Sequence, residues 1–262
     1  MNIVVCIKQV PDTTEIKIDP VKNTLIRAGV PSIMNPYDRH AVEAALQMKD
    51  RYGARVTVIS MGPAQAKSIL REALSMGADD AYLVTDRAFG GSDTFATSYI
   101  LAAVIRYLGS VDMVFGGKQA IDGDTGQTVA SLAEHLGLPM ITHALDVEVC
   151  DRKVIARRIT DEGFERVRTS IPLICTFTKE SNKPRYATLA SKIDSLTAEI
   201  PEIHLEDIER LIDTTKIGLK GSPTRVKKTF VPPREASGLH ISGSAPDAAA
   251  KLISELSTAK VL

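Results

Sequence analysis

The sequence lacks an excess of either charge, and it lacks any hydrophobic run long enough to cross a bilayer. Lysine and arginine total 32 residues, as do aspartate and glutamate, so no basic field favours nucleic-acid binding and no acidic tail is present. Residues 1–7 are followed at once by Lys8, which is typical of a first strand rather than of a signal peptide. We therefore predict a cytoplasmic protein with no membrane insertion and no nucleic-acid partner.

Cysteine and histidine are too few and too scattered to predict a metal centre. Each of the three cysteines, Cys6, Cys150 and Cys175, lies inside an apolar segment, which favours small buried side chains over a disulfide or metal ligands. The five histidines have no ligand spacing with one another or with the cysteines. We predict no metal site.

The common nucleotide fingerprints are also missing. No G-x-G-x-x-G follows the first strand and no G-x-x-x-x-G-K-[ST] occurs, which disfavours a standard Rossmann dehydrogenase and a P-loop NTPase. Residues 89–94 resemble the S-G-G-x-D-S loop of ATP pyrophosphatases, but they follow a later strand and have Phe89 instead of serine. No Ser-His-Asp, Cys-His or acid–base arrangement stands out. We predict no catalytic side chain, and we expect the chemistry to belong to a bound cofactor.

Strand and helix patterns alternate through the first 150 residues. This alternation predicts an α/β fold with an open, doubly wound parallel sheet of the Rossmann-like, adenine-nucleotide-binding kind. The predicted strands cover residues 3–7, 55–60, 81–85, 113–115 and 140–150, and the predicted helices cover about 36–51, 64–76, 93–108 and 125–136. Crossovers between parallel strands bring every strand-to-helix loop to one edge of the sheet, where such folds bind their ligands.

Beyond residue 145 the pattern changes. Short alternating runs at residues 144–150, 154–159, 164–170 and 171–177 predict added antiparallel strands. Apolar periodicity then fades until a last short helix at about residues 246–258. We predict a nucleotide-binding domain over residues 1–189, and an arm over residues 190–262 that becomes ordered on a partner subunit.

The most informative loop turns the buried strand at 113–115 into a glycine-rich segment and then into a helix. Asp124 is expected to cap that helix, with Gln127 three positions on. Glycines remove side-chain bulk, so free amides of the first turn can approach a phosphate; an ordinary strand-to-helix loop is the competing interpretation. The candidate binding residues here are Gly116, Gly117, Gln119, Ala120, Gly123, Asp124, Thr125, Gly126, Gln127 and Thr128.

A second phosphate-sized loop follows the strand at 81–85. Gly90 and Gly91 precede a polar first turn, and Thr94 and Thr97 lie one turn apart on one helix face. Two such loops along one edge suit a dinucleotide better than a mononucleotide. The other candidates for this second loop and for the remaining loops of the edge are Asp93, Cys6, Lys8, Asn35 as an N-cap, Met61, Gly62 and Ala64.

Segments spread over almost the whole chain resemble, in order, the beta subunit of an electron transfer flavoprotein. The segments that carry the resemblance are residues 2–11, 34–36, 61–65, 118–125 with Gln127, 158–172 and 182–189. The resemblance implies a heterodimer in which an alpha subunit supplies a separate flavin domain. In that arrangement the beta subunit holds a nucleotide, and its arm wraps the alpha subunit.

Residues 86–97 and 218–224 are similar to those of the electron-bifurcating members of this family. That similarity implies a second FAD, which accepts a hydride from NADH and delivers electrons to ferredoxin or flavodoxin and, through the alpha-subunit FAD, to a dehydrogenase that is often acyl-CoA-specific. Residues 126–128 are Gly-Gln-Thr where other bifurcating members tend to have Ala-Gln-Val, so a structural AMP remains the alternative. The family also implies a partner-recognition loop with Arg185 and Tyr186, and with Leu189 as its apolar anchor.

Overall fold

The computed structural model describes residues 1–12, 31–227 and 238–262. Its strands are β1 (Asn2–Cys6), β2 (Gln9–Pro11), β3 (Ser32–Met34), β4 (Arg55–Met61), β5 (Asp80–Val84), β6 (Met113–Gly117), β7 (Met140–Cys150), β8 (Lys153–Thr160), β9 (Gly163–Ser170), β10 (Leu173–Phe177) and β11 (Glu202–Ile203). Its α-helices are α1 (Pro36–Tyr52), α2 (Lys67–Met76), α3 (Thr94–Leu108), α4 (Thr128–Leu136), α5 (Leu189–Thr197), α6 (Leu205–Ile208), α7 (Gly218–Gly221) and α8 (Ala245–Thr258).

One large sheet dominates the part of the chain from residue 1 to residue 227. Its strand order is β11-β5-β4-β1-β6-β10-β7-β8-β9, and β2 pairs with β3 in a separate hairpin. All neighbours from β11 to β7 run parallel, whereas β8 and β9 are antiparallel. The predicted α/β fold with a parallel sheet and an antiparallel addition is therefore confirmed.

Each face of the sheet has its own hydrophobic core. Ile3 and Val5 of β1 point into a cluster with α1 and α2, while Val4 between them points into a cluster with α3 and α4. This alternation is what a strand buried on both faces produces, because successive side chains point to opposite sides. The two layers of helices fix where the strand-to-helix loops emerge.

The prediction of antiparallel pairing is wrong for the last strand of the 144–177 region. β10 lies between β6 and β7 and runs parallel to both. All five of its residues are buried, so it is an interior strand of the main sheet rather than an extension of the hairpin. A continuous apolar run is typical of such a strand, and it distinguishes β10 from the half-exposed alternation of β8 and β9.

Residues 190–227, which the sequence assigns to the arm, lie within the same compact unit as residues 1–189. β11 pairs with β5 at the sheet edge. Five widely spaced isoleucines of this segment are buried: Ile200, Ile203, Ile208, Ile212 and Ile217. Whether the region also contacts another subunit stays a prediction.

Residues 228–262 form a second unit, of which the structure describes residues 238–262. It contains α8, which begins one residue before the predicted start, and Ser244 caps it by accepting a hydrogen bond from the Asp247 amide. Among the helices of the described residues, none has the length and apolar character needed to cross a membrane.

Candidate functional site

The carboxyl ends of the parallel strands form the candidate site. From β1 the chain proceeds outward to β4 and β5 on one side, and it then crosses to β6 on the other side of β1. This reversal opens a crevice outside the strand ends, which is the usual ligand position in doubly wound sheets. Because every predicted cofactor residue lies at the end of β1, β4, β5 or β6, or at the start of the helix that follows, the fold brings all of them to this one edge.

Asp38, in the first turn of α1, joins the two strands that flank the crevice. One carboxylate oxygen accepts a hydrogen bond from the Lys8 amide at 2.8 Å, and the other accepts one from the Gly117 amide at 3.1 Å. Asp38 is 6% exposed. Burial raises the pKa of this carboxyl to about 7, although the two amide bonds act in the opposite direction. Asp38 is not among the predicted site residues, because its only signal in the sequence is an acidic residue in a helix's first turn.

Packing alone is enough to require glycine at positions 116 and 117. A Cβ atom on Gly117 would lie 2.3 Å from a carboxylate oxygen of Asp38, and one on Gly116 would lie 2.8 Å from a Val129 methyl group. These glycines therefore let α1 and α4 approach the end of β6. Whether they also contact a phosphate stays a prediction.

Asn35 occupies the N-cap position of α1 as predicted, but its side chain does not cap that helix. Instead, it donates to the Gln119 carbonyl at 2.8 Å and accepts from the Ile121 amide at 3.2 Å. A salt bridge adds a second contact, since the Lys8 ammonium group lies 2.7 Å from an Asp122 carboxylate oxygen. The loop after β6 is thus held by the side chains of Asn35, just before α1, and of Lys8, just after β1.

The predicted cap of the next helix is wrong. α4 begins at Thr128, not Thr125, and Gln127 rather than Asp124 occupies the N-cap position. Asp124 and Gly126 have φ values of 52° and 62°, a left-handed conformation that cannot continue into a helix. The Asp124 side chain bonds to that of Gln119.

The N-terminus of α4 consequently has free donors. The Gln127 side chain makes no capping hydrogen bond to any residue that the structure describes. The first amides of a helix have no partner within the helix, and residues 123–127 are exposed. An anion can therefore approach this end of α4.

The second predicted loop differs, because its polar groups bond to a later part of the same chain. Asp93 caps α3 by accepting from the Ala96 amide at 3.0 Å, and it also accepts from the Thr224 amide and hydroxyl at 2.9 and 2.7 Å. Partial burial raises the pKa of Asp93, but these hydrogen bonds outweigh that effect and the pKa lies below its usual value. Free amides are thus fewer here than predicted, and the half-buried Thr94 and Thr97 remain as the candidate donors.

The remaining candidates lie at the same edge. After β4, the Gly62 amide donates to the Val84 carbonyl at 3.0 Å, and the chain enters a short 3-10 turn at Ala64. Met61 is half-buried. At the end of β1, burial raises the pKa of the Cys6 thiol to about 12, so this group stays protonated.

The predicted recognition loop is held by α1. Arg185 donates to both carboxylate oxygens of Glu43 and, at 2.7 Å, to Asp50. These hydrogen bonds raise the pKa of Arg185, with Glu43 contributing most. The neighbouring Tyr186 and Leu189 are 89% and 77% exposed, which leaves both available to a partner.

Leu189 is the first residue of α5 and begins an exposed apolar stripe. Ile193 and Leu196 follow at helical spacing and are 55% and 65% exposed. Leu189 is the one member of this stripe that the sequence predicts, because the fading periodicity after residue 178 conceals a helix of nine residues.

Comparison with known proteins identifies the family. The electron transfer flavoprotein domain matches residues 22–208, which is more than half of the chain. The chain belongs to the electron transfer flavoprotein family. Relatives that match nearly end to end place it among the beta subunits of that family, and a beta subunit of this kind implies an alpha-subunit partner.

Three relatives illustrate which proteins this chain resembles. The electron transfer flavoprotein subunit beta of Clostridium acetobutylicum is 51% identical, over 98% of both chains. The caffeyl-CoA reductase-Etf complex subunit CarD of Acetobacterium woodii is 46% identical, again over 98% of both chains. The acryloyl-CoA reductase electron transfer subunit gamma of Anaerotignum propionicum is 40% identical over 98% of both chains.

Replacing Asp38 with asparagine removes a titrating group while keeping its shape. Because the folded pKa is raised to about 7 from 3.8, the folded chain holds this proton more tightly than the unfolded chain. The resulting stabilisation is complete below the unfolded pKa and is lost as the pH rises through about 7. We expect the unfolding free energy of the wild type, relative to Asp38→Asn, to fall by up to about 1.4 kcal/mol per pH unit between these two pKa values.

Denaturant titrations of both proteins in the same buffers measure this difference. A difference that does not change with pH would show that Asp38 titrates in its ordinary range.

Proposed function

We propose that this beta subunit binds FAD at the carboxyl edge of its sheet and acts in an electron-bifurcating electron transfer flavoprotein. When bound, the FAD accepts a hydride from NADH and supplies electrons to ferredoxin or flavodoxin and, through the alpha-subunit FAD, to a partner dehydrogenase. The observation that carries the proposal is the N-terminus of α4, which no side chain of the described residues caps and which follows an exposed glycine loop at the switch point of the sheet.

The residues of this edge fit a nucleotide phosphate. Thr128 and the next two residues of α4 present amides without intrahelical partners, and the positive end of the helix dipole favours an anion there. Lys8 lies beside the same loop, and its ammonium group is paired with Asp122. A phosphate near Lys8 would share the ammonium group with Asp122 or replace Asp122 as its partner.

A dinucleotide is favoured over AMP by the position of the second loop. α3 follows β5 and α4 follows β6, and these two strands are separated by β4 and β1. At about 4.8 Å per strand spacing, their ends lie roughly 14 Å apart, which a dinucleotide can span. Thr94 and Thr97 would donate hydroxyl hydrogen bonds at the second position, while the ionised Asp93 keeps that turn in shape through Thr224.

We further propose that the exposed side chains from Tyr186 to Leu196 dock the partner dehydrogenase. A row of large apolar side chains on a polar surface is typical of an interface core. Two relatives are named as subunits of a caffeyl-CoA reductase complex and of an acryloyl-CoA reductase. These names favour a partner that acts on acyl-CoA substrates.

The cofactor content of the purified heterodimer tests the central proposal. We expect acid treatment to release two FAD and no AMP per heterodimer. One FAD together with stoichiometric AMP would favour the structural-nucleotide alternative and would overturn bifurcation.

Removing the two threonine hydroxyls tests the second loop. Thr94→Val combined with Thr97→Val should weaken flavin retention in the beta subunit, at about 0.5–1.5 kcal/mol for each hydrogen bond and more to a charged phosphate. Flavin loss during dialysis is the measurement. Thr160→Val, which alters a hydroxyl on the hairpin of β8 and β9, is the control. Equal flavin retention in the double variant and in the control would show that neither threonine belongs to the binding site.

Leu189→Ala tests the docking stripe. The change should weaken docking to the dehydrogenase by roughly 1–3 kcal/mol, the scale of burying one leucine, and it should leave reduction of the bound flavin by NADH unchanged. Leu211→Ala changes another exposed leucine of the same unit and serves as the control. Loss of flavin reduction and of coupled turnover in equal measure would indicate a role in folding, and full retention of both would place docking elsewhere.

A further inference from the structure

Residues 182–198, hereafter the docking segment, are fastened near both ends by polar side chains of α1 and α2. These contacts involve residues other than the exposed apolar stripe, and they face α1 and α2. They suggest a role in docking for side chains of α1 and α2 that the docked dehydrogenase would not contact.

The first fastening joins the start of the docking segment to α1. The backbone amide and the Nε atom of Arg185 donate to the same Glu43 oxygen at 3.0 and 2.9 Å, and Nη2 donates to the other oxygen at 3.1 Å. Asn182 adds a bond to the His40 carbonyl at 2.9 Å. The Glu43 side chain is only 5% exposed, so this ion pair is shielded from the solvent that weakens surface pairs.

The second fastening joins the end of α5 to α2. Arg71 donates from one nitrogen to the carbonyls of Ser195 and Ala198, at 3.0 and 2.8 Å. The last carbonyls of a helix lack intrahelical partners and carry the negative end of its dipole, so a guanidinium group is well suited to this place. Ser195 itself is buried, which turns that face of α5 toward the body of the protein.

Between the two fastenings, the large side chains face solvent. Tyr186, Leu189, Ile193 and Leu196 contribute little burial that could hold the segment in place. A short helix of this length is marginal by itself in water. The ion pair and the arginine contacts therefore add order to it, together with the Thr188 side chain that caps the start of α5.

We infer that Glu43 and Arg71 are positioning residues that hold the docking segment in the shape its partner recognises before the partner arrives. The inference rests on the docking function proposed above. Fixing a binding segment in advance removes part of the entropy cost of association, so the effect belongs to partner binding and not to flavin chemistry.

Amide hydrogen exchange of the purified heterodimer, without any partner, tests the ordering. In Glu43→Gln and in Arg71→Gln, amides of residues 186–197 should exchange about tenfold faster, the scale of losing one charge-assisted hydrogen bond. Asp80→Asn is the matched control, because it removes the same chemistry from the bidentate Arg55–Asp80 pair at a distance from the segment. The Arg71 variant keeps the test valid should the Glu43 variant fail to fold. Unchanged exchange in the folded variants would overturn the inference.

Coupled turnover separates positioning from simple structural support. The probe is an acyl-CoA dehydrogenase that exchanges electrons with the wild-type heterodimer. Its KM should rise about tenfold in the variants while kcat at saturation and flavin content stay the same. Faster exchange with an unchanged KM would overturn the positioning role. A loss of kcat as large as the rise in KM would overturn it too. If Leu189→Ala also leaves KM unchanged, the docking surface itself is wrong, and that failure is distinct from a failure of the fastenings.

Discussion

The two hydrogen bonds that Asp38 accepts are the constraint on which the nucleotide edge depends. They join the ends of β1 and β6, the parallel neighbours at which the chain stops adding strands on one side of β1 and begins on the other. Because both amides belong to the backbone, the carboxylate sets the spacing of the two loops independently of their side chains. Gly117 accommodates this contact by lacking a Cβ atom. The edge is thus shaped by a buried carboxyl group, whose desolvation the rest of the fold must offset.

The fold was largely predictable because its main elements carry strong periodic signals. Parallel strands such as β1 and β6, and helices such as α1 and α3, repeat their apolar residues at clear spacings. β10 was misassigned because a short apolar run does not reveal whether its neighbours are parallel or antiparallel. The packing of residues 190–227 was not predictable, because this segment contributes single isoleucines to the core at irregular spacing and so has no periodic pattern.

The candidate site was predictable in position but not in detail. Glycine loops after parallel strands indicated the correct edge, and Thr94 and Thr97 lie there. The contacts of Asp38 with Gly117, of Glu43 with Arg185 and of Arg71 with Ala198 join residues between 79 and 142 positions apart in sequence. No local pattern specifies such pairs, and they become visible only when the elements are packed. The same limit explains Asp93, whose capping role is local but whose bonds to Thr224 are not.

The position of β10 has a consequence for synthesis of the chain. This strand lies between β6 and β7, yet it is made after both of them and after the hairpin of β8 and β9. Until residue 177 has left the ribosome, β6 and β7 have no strand to join them, and each presents an unpaired edge. The nascent chain therefore passes through a stage with a divided sheet, during which the open edge of β6, a fully buried strand of the finished fold, needs protection from other chains.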